Sequence, residues 1–157
     1  MYRRIMLTSD GSLLAAAALP HAAALATASG GTVILVAAID SLEELRAEGR
    51  PTGWLDLGGQ LSGDELASAA SEQQSLAEEH LGTLHSALEA EGIRTVEEHV
   101  VAGPAGEAIV EAVERFEADL VVMATHGRSG LGRAVLGSVA DHVMRHAGSP
   151  VLLVRPE

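Results

Sequence analysis

The sequence predicts an α/β fold, an open parallel sheet covered by helices on both faces. Short apolar runs alternate with helical patterns along the 157 residues, and this alternation is typical of right-handed βαβ units. Hydrophobic residues make up 47% of the chain but aromatic residues only 2%, so the core must consist mainly of Ala, Val and Leu. Such a core suits parallel strands buried beneath alanine-rich helices.

Four short apolar runs and one segment of alternating character, the third, predict the strands, and four longer segments between them predict helices. The alternation places the third strand nearer an edge of the sheet. We place the strands at residues 4–8, 32–38, 93–101, 120–124 and 150–154. We place the helices at residues 13–29, 64–91, 105–117 and 139–147. Ser12 or Asp10 can cap the first helix, and Gly30 ends it.

Residues 40–63 differ from the rest of the chain because they combine Pro51 with several glycines. This composition predicts a long mobile loop, inserted into a single domain of residues 1–157. Trp54 lies in this loop and suits either a lid over a ligand or an anchor for a partner. The sequence leaves both roles open.

Charge and composition exclude several functions. The net charge of −12 and the lack of a basic cluster argue against nucleic-acid and anionic-membrane partners. Without cysteine there is no disulfide, thiolate catalysis or Cys-ligated zinc, and without lysine there is no P-loop lysine. The first residues turn polar at once and no apolar run reaches membrane-spanning length, so we expect a cytoplasmic protein without a signal peptide.

The glycine-rich segment at residues 124–138 is the strongest functional signal in the chain. It leaves an apolar strand and ends where a helix begins. Backbone N–H groups point outward at such a junction, the helix dipole favours negative charge, and glycine lets an anion approach the backbone. Because ligands of open α/β sheets bind beyond the carboxyl ends of the strands, Asp10 and the turn at residues 38–40 should lie nearby. The sequence therefore predicts a site for a phosphorylated ligand.

Three motifs give the chain its resemblance to the universal stress protein family. Asp10-Gly11-Ser12 follows the first strand, and Pro150-Val151-Leu152-Leu153-Val154 forms the last one. Between them, Gly127 is followed after nine residues by Gly137 and Ser138, which matches the family's nucleotide-binding spacing. The first glycine of that signature is replaced by Ala124, whereas residues 125–130 are similar to the family's ATP-binding branch.

The resemblance extends over the whole chain, and it implies a Rossmann-like fold of the HUP superfamily with strand order 3-2-1-4-5. It also implies a stress-linked sensor or regulator that binds ATP, with Mg²⁺ or Mn²⁺ bridging the phosphates, and turns it over little or not at all. The protein would form a homodimer through its last strand, Val151–Val154. By the family pattern, Asp10 lies near the ribose or adenine, Thr8 and Ala38 line the adenine pocket, and Gly127, Gly137 and Ser138 hold the phosphates. Further candidate contacts are Ala124, His126, Arg128, Gly130 and Val139.

Each candidate also has a structural explanation. Ser138 with Asp141 forms a capping-box pattern, and Asp10 suits a helix cap. Ala124 would be strained if its position required a positive φ, and Arg128 would be a solvated surface residue. His142 and His146 lie four residues apart, but no third ligand supports a metal site.

Two other functions therefore stay open. One is a scaffold of the same fold that binds no nucleotide, and Ala124 is the residue in its favour. The other is an enzyme, such as a slow ATPase or a nucleotidyl-transfer enzyme. We expect no catalytic centre, because the sequence offers no nucleophile and base with a supporting third group.

Overall fold

The computed structural model describes residues 1–47, 62–125 and 137–155. Its centre is a five-stranded parallel sheet with the order β3-β2-β1-β4-β5, which confirms the predicted fold. The strands are β1 Arg4–Ser9, β2 Thr32–Ile39, β3 Val96–Ala102, β4 Leu120–Ala124 and β5 Val151–Val154. The central strand β1 pairs with β2 on one side and with β4 on the other, so that Ile5 lies between Val33 and Leu120.

Helices cover both faces of the sheet. They are α1 Leu13–Ala16, α2 Leu19–Ser29, α3 Leu42–Ala47, α4 Gly63–Ala90, α5 Ala105–Arg115 and α6 Ser138–His146. Successive side chains of β1 point to opposite faces, so Ile5 and Leu7 pack against α2 and α4, whereas Met6 packs against α5 and α6. Among the described helices, none combines the length and the hydrophobicity that a membrane-spanning segment needs.

The predicted single helix at residues 13–29 is wrong, because the structure divides it into α1 and α2. Pro20 lies in the first turn of α2. A proline inside a helix has no N–H for the helical hydrogen bond, and its ring collides with the preceding turn, whereas the first turn accepts it. Gly30 then ends α2 with a left-handed φ of 62°, as expected of a glycine after a helix.

The predicted loop at residues 40–63 is also partly wrong, because it contains α3. The hydroxyl of Ser41 accepts a hydrogen bond from the Glu44 N–H (3.3 Å), and the Glu44 carboxylate accepts one from the Ser41 N–H (2.8 Å). This reciprocal pair is a capping box, and it satisfies two backbone donors at the helix start. The rest of the predicted loop, residues 48–61 with Trp54, lies outside the described residues.

The third strand begins at Val96 rather than at residue 93. Ile93 belongs to the end of α4 instead, because its N–H donates to the Leu88 carbonyl (3.0 Å) after Gly92 has turned with a φ of 86°. This arrangement is a typical helix C-terminal motif, and it buries Ile93 in the core. The other predicted boundaries differ from the observed ones by two residues or fewer.

A hydrogen-bond network joins the strands at the amino edge of the sheet, the side on which all the parallel strands begin. The Asp119 carboxylate, just before β4, accepts from the N–H groups of Arg3 (2.7 Å) and Arg4 (3.0 Å). The Arg4 guanidinium donates two hydrogen bonds to Glu97 of β3, each 3.0 Å long, and a third to the Phe116 carbonyl (2.7 Å). One arginine therefore connects β1, β3 and the end of α5.

Candidate functional site

A cavity of about 190 Å³ lies at the opposite, carboxyl edge of the sheet, the side on which all the parallel strands end. It opens where β1 lies between β2 and β4, the point at which the chain changes its direction of winding and where ligands of such sheets bind. Strand ends, the β1–α1 turn and the helices α5 and α6 all contribute to its wall. The lining residues are Thr8, Ser9, Asp10, Ser12, Ala15, Ala38, Ala105, Ile109, Met123, Ala124, Thr125, Gly137, Ser138, Val139 and Ala140.

The turn after β1 is held by its own polar side chains. The Asp10 carboxylate accepts a hydrogen bond from the Ser12 N–H (3.0 Å). The Ser12 hydroxyl accepts one from the Ala15 N–H (3.3 Å), so Ser12 is the residue that caps α1. The exposed carboxylate of Asp10 therefore has a fixed position at the mouth of the cavity.

Two polar side chains of α4 support the strand ends from the other face of the sheet. The Ser9 hydroxyl lies 2.7 Å from His80 Nε2 and also accepts from the Gly11 N–H (3.3 Å). Burial lowers the pKa of His80, and the nearby Asp10 carboxylate opposes this shift only in part. The fully buried Gln73 exchanges two hydrogen bonds with Asp40, of 3.1 and 3.2 Å, just beyond β2.

Our sequence interpretation did not identify Gln73 or His80. The signal was present, since both are polar residues seven positions apart, a spacing that places them on the same side of a helix. Polar residues on the otherwise apolar face of a helix indicate buried polar partners elsewhere in the fold.

The N-terminus of α6 borders the cavity on its other side. Gly137 is the N-cap residue, with φ −59° and ψ 150°, and as a glycine it has no side chain with which to cap the helix. At this end of a helix, the N–H groups of the first turn have no hydrogen-bond partners within the helix, and the helix dipole makes the position favourable for an anion. Ser138, Val139 and Ala140 of this turn all line the cavity.

The predicted capping box of Ser138 and Asp141 is wrong. Ser138 is the first residue of the helix rather than its cap, because the Asp141 N–H donates to the Gly137 carbonyl (2.9 Å). The Asp141 carboxylate bonds with Arg145 Nε (2.9 Å), one turn further along the helix. That hydrogen bond lowers the pKa of Asp141, so the carboxylate stays charged near the first turn.

Ala124 fits its position without strain. It is the last residue of β4, where it pairs with Val154 of β5. Within the described part of the chain, the only non-glycine residue with a positive φ is Glu117. A glycine is therefore not required by the backbone at position 124, and the methyl group of Ala124 forms part of the cavity wall.

The structure brings seven predicted site residues to one cavity: Thr8, Asp10, Ala38, Ala124, Gly137, Ser138 and Val139. The other four, His126, Gly127, Arg128 and Gly130, lie outside the described residues. The sequence interpretation missed the contribution of α5, from which Ala105 and Ile109 line the cavity. In a sequence, small apolar residues on the inner face of a helix have the same pattern whether they pack against the core or line a ligand site.

The sheet order and the cavity at its switch point define a Rossmann-like α/β protein. Residues 1–155 match the Universal stress protein family, and the chain belongs to that family. It is 34% identical to Universal stress protein MJ0531 of Methanocaldococcus jannaschii over 157 residues, which cover 99% of this chain and 83% of the relative.

Solved structures of family members share the fold. The structure of MJ0577, also from Methanocaldococcus jannaschii, has a TM-score of 0.77 and 26% identity and covers 100% of this chain and 98% of its own. A universal stress protein in complex with cAMP has a TM-score of 0.70 and 24% identity, covering 99% and 98%. The Archaeoglobus fulgidus protein in complex with dAMP has a TM-score of 0.63 and 22% identity, covering 97% of each chain.

Proposed function

We propose that this chain binds an adenine nucleotide, with ATP as the preferred ligand, in the cavity at the carboxyl edge of the sheet. The observation that carries the proposal is a single cavity in which Thr8, Asp10 and Ala38 lie together with the first turn of α6. Membership of the universal stress protein family supports it. So do the relatives of the same fold that were solved with cAMP and with dAMP.

The strand side of the cavity suits a nucleoside. Ile109 and Met123 offer apolar surface for the flat faces of a base, and Ala38 leaves room beside them. The hydroxyl of Thr8 can donate or accept a hydrogen bond at the edge of the base. The Asp10 carboxylate accepts hydrogen bonds only and therefore suits the hydroxyl groups of the ribose.

The α6 side of the cavity suits the phosphates. The N–H groups of the first turn are donors without helical partners, and the hydroxyl of Ser138 adds another. We propose that Gly127, Gly130, Arg128 and His126 complete the phosphate site from the preceding segment. Oxygen donors such as Asp10 and Ser138 fit Mg²⁺ or Mn²⁺, which would neutralise phosphate charge when bound.

The first experiment asks whether the purified protein carries a nucleotide. The protein is denatured and the released small molecules are separated by chromatography. Protein freed of nucleotide is then titrated calorimetrically with ATP, ADP, AMP and adenosine, with Mg²⁺ or with a chelator. We expect ATP to bind more tightly than adenosine and to do so better with the metal. If no adenine nucleotide is released and millimolar ATP gives no heat, the proposal is wrong.

We further propose that nucleotide binding acts as a regulatory signal in the cytoplasm and that hydrolysis is slow or absent. A steady-state phosphate-release assay with Mg²⁺ or Mn²⁺ distinguishes this function from a slow ATPase. The alternative of a scaffold without a nucleotide rests on Ala124. The position of Ala124 at the end of β4 does not require a glycine, and the calorimetric titration decides between the two functions.

We propose that the protein is a homodimer through β5, which lies at an edge of the sheet. The bonds from Val121 N–H to the Pro150 carbonyl and from Thr125 N–H to the Val154 carbonyl direct alternate residues of β5 toward β4. The backbone groups of Val151 and Leu153 therefore point to the free edge, where a second copy can pair with them.

This alternation gives a sharp test of the dimer. Leu153→Pro removes an outward N–H and spares the bonds to β4, so we expect light scattering to show a monomer at tens of micromolar. Val154→Pro removes an inward N–H and should lower stability instead. A monomeric unmodified protein, or a dimer that persists in Leu153→Pro, would contradict an interface through this edge.

A further inference from the structure

A glycine of α5 lies in tight contact with α6. Gly106 is the second residue of α5, and it faces His142 of α6. A methyl group built on Gly106 would lie 2.9 Å from both Cγ and Cδ2 of His142, and 3.0 Å from its Cβ. Carbon atoms in contact prefer separations of about 3.5 to 4.0 Å, so the two helices could not keep this distance with any side chain at position 106.

His142 cannot relieve such a contact by rotating its side chain. The Cβ atom is fixed by the helix backbone, and it is one of the three close atoms. The imidazole ring is also stacked on His146, with 4.3 Å between the ring centroids. The Nδ1 atom of His146 in turn lies 2.8 Å from the His142 carbonyl oxygen. A side chain at position 106 would therefore move the helix and not only the ring.

A shift of α6 would change the cavity directly. The helix has nine residues, and its first turn, Ser138–Ala140, lines the cavity one turn away from His142. On α5, the neighbour of Gly106 is Ala105, which lines the same cavity. The distance between these two helices therefore sets the position of the α6 N–H groups relative to the strand ends.

We propose that Gly106 is a positioning residue for phosphate binding, a role that rests on the proposed function. Its missing side chain lets α6 approach α5 closely enough for the N–H groups of the first turn to meet the phosphates. The nucleoside side of the cavity is built by β1, β2 and β4 together with Ile109 of α5. Ile109, Ala112 and Val113 pack α5 against the sheet, so we expect the nucleoside side to change less than the first turn of α6. Position 106 therefore controls affinity for the phosphates more than affinity for the nucleoside.

The test compares ATP with adenosine in Gly106→Ala. We expect ATP to bind about tenfold more weakly, the size of one lost hydrogen bond to a charged group, while adenosine binding changes less than about twofold. The matched control is Gly82→Ala, another glycine within a helix, where a methyl group meets nothing within 4 Å. This control should leave the affinity for both ligands unchanged.

The double variant Gly106→Ala/His142→Ala distinguishes positioning from general damage. It removes the two ring contacts but keeps the Cβ contact, so its ATP affinity should recover in part. If Gly106→Ala does not fold, the same ratio of ATP to adenosine affinity is measured in the double variant against His142→Ala alone.

Equal losses for ATP and adenosine, or no loss of ATP affinity, would overturn the positioning role. Unmodified protein that binds neither ligand would contradict the proposed function itself. The two failures are therefore distinguishable.

Discussion

The two edges of the sheet are built for different purposes. At the amino edge, Arg4, Glu97 and Asp119 form a network that closes the ends of β1, β3 and β4. At the carboxyl edge, β1, β2 and β4 end around a cavity, and the N-terminus of α6, which has a glycine at its N-cap, borders the same cavity. Polar groups are paired with each other at both edges, but at the carboxyl edge some of them also line a space that a ligand can fill.

The comparison predicts a separation of roles. Substitutions at the amino edge should change the free energy of unfolding and leave ligand affinity alone. Substitutions at the carboxyl edge should do the reverse, because a polar group held for a ligand contributes little to folding.

The largest effect is expected for Gly137→Val. The φ and ψ of Gly137 are accessible to valine, so the fold survives, but branched methyl groups enter the space that a phosphate would occupy. We expect ATP affinity to fall about a hundredfold, or about 2.7 kcal/mol, while replacement of the glycine N-cap lowers stability by about 1 kcal/mol.

The matched control for this substitution is Gly148→Val, because Gly148 is exposed and a side chain there meets nothing. Calorimetry gives the affinities and urea denaturation the stabilities. An unchanged ATP affinity in folded Gly137→Val would contradict the phosphate assignment.

A smaller effect with the opposite pattern is expected for Arg4→Ala. This change removes three hydrogen bonds and leaves the Glu97 carboxylate with His99, whose Nε2 lies 3.6 Å from Glu97 Oε2. Because Arg4 and Glu97 are each about one-third exposed, solvent reduces the effect, and we expect a loss of about 1 to 2 kcal/mol in unfolding free energy. ATP affinity should not change.

The control is Arg145→Ala, which removes an ion pair on the exposed surface of α6. It should leave the denaturation midpoint unchanged. Weaker ATP binding in Arg4→Ala would show that the two edges are coupled, and the separation of roles would then be wrong.

The two edges should also respond to different ranges of pH. The Arg4 hydrogen bonds hold the pKa of Glu97 below its usual range, so that stabilisation is lost only as the pH falls through this lowered pKa. Burial lowers the pKa of His80, so the unfolded chain binds more protons as the pH falls below about 6.5, and stability declines from there.

Urea denaturation at several pH values between 7.5 and 5 tests the second response. His80→Gln should flatten the decline, whereas His21→Gln, on the exposed side of α2, should leave it as it is. The same decline in His80→Gln as in the unmodified protein would show that His80 is not its origin.

The parallel sheet was predictable because most of its strands are short apolar runs and the segments between them have helical patterns. Two elements were missed although their signals were present. Pro20 forbids a continuous first helix, and Ser41 with Glu44 forms the capping box of α3. The sequence interpretation missed both signals because it followed the composition. An alanine-rich run suggested one long helix, and a glycine-rich stretch suggested a loop.

The site was predictable only where a residue type has one clear use. A glycine before a helix and an acidic residue after a strand indicate the side of the sheet at which a ligand can bind. Gly137 and Asp10 both line the cavity on that side. The α5 wall could not be predicted, because Ala105 and Ile109 have the same pattern as core residues. The pairing of Ser9 with His80 joins positions 71 residues apart, and local patterns carry no information about such contacts.

The smallest effect is expected for Asp141→Asn, because Asp141 affects both the stability of α6 and the charge near the proposed ligand. The Asp141 carboxylate in the first turn of α6 favours the helix through its dipole, but its charge lies near the proposed phosphates. Removing that charge should therefore raise ATP affinity, by about twofold because Arg145 and solvent already screen it, and should lower the thermal midpoint slightly.

The gain should be larger for ATP than for AMP and should vanish in 1 M salt, where the screening length is about 3 Å. Calorimetry with ATP and with AMP, each at low and at high salt, measures the difference between the ligands and its dependence on salt. Weaker ATP binding in this variant would mean that Asp141 supports the ligand, for instance through a bound cation. The carboxyl edge would then be organised around that cation as well as around the helix N-terminus.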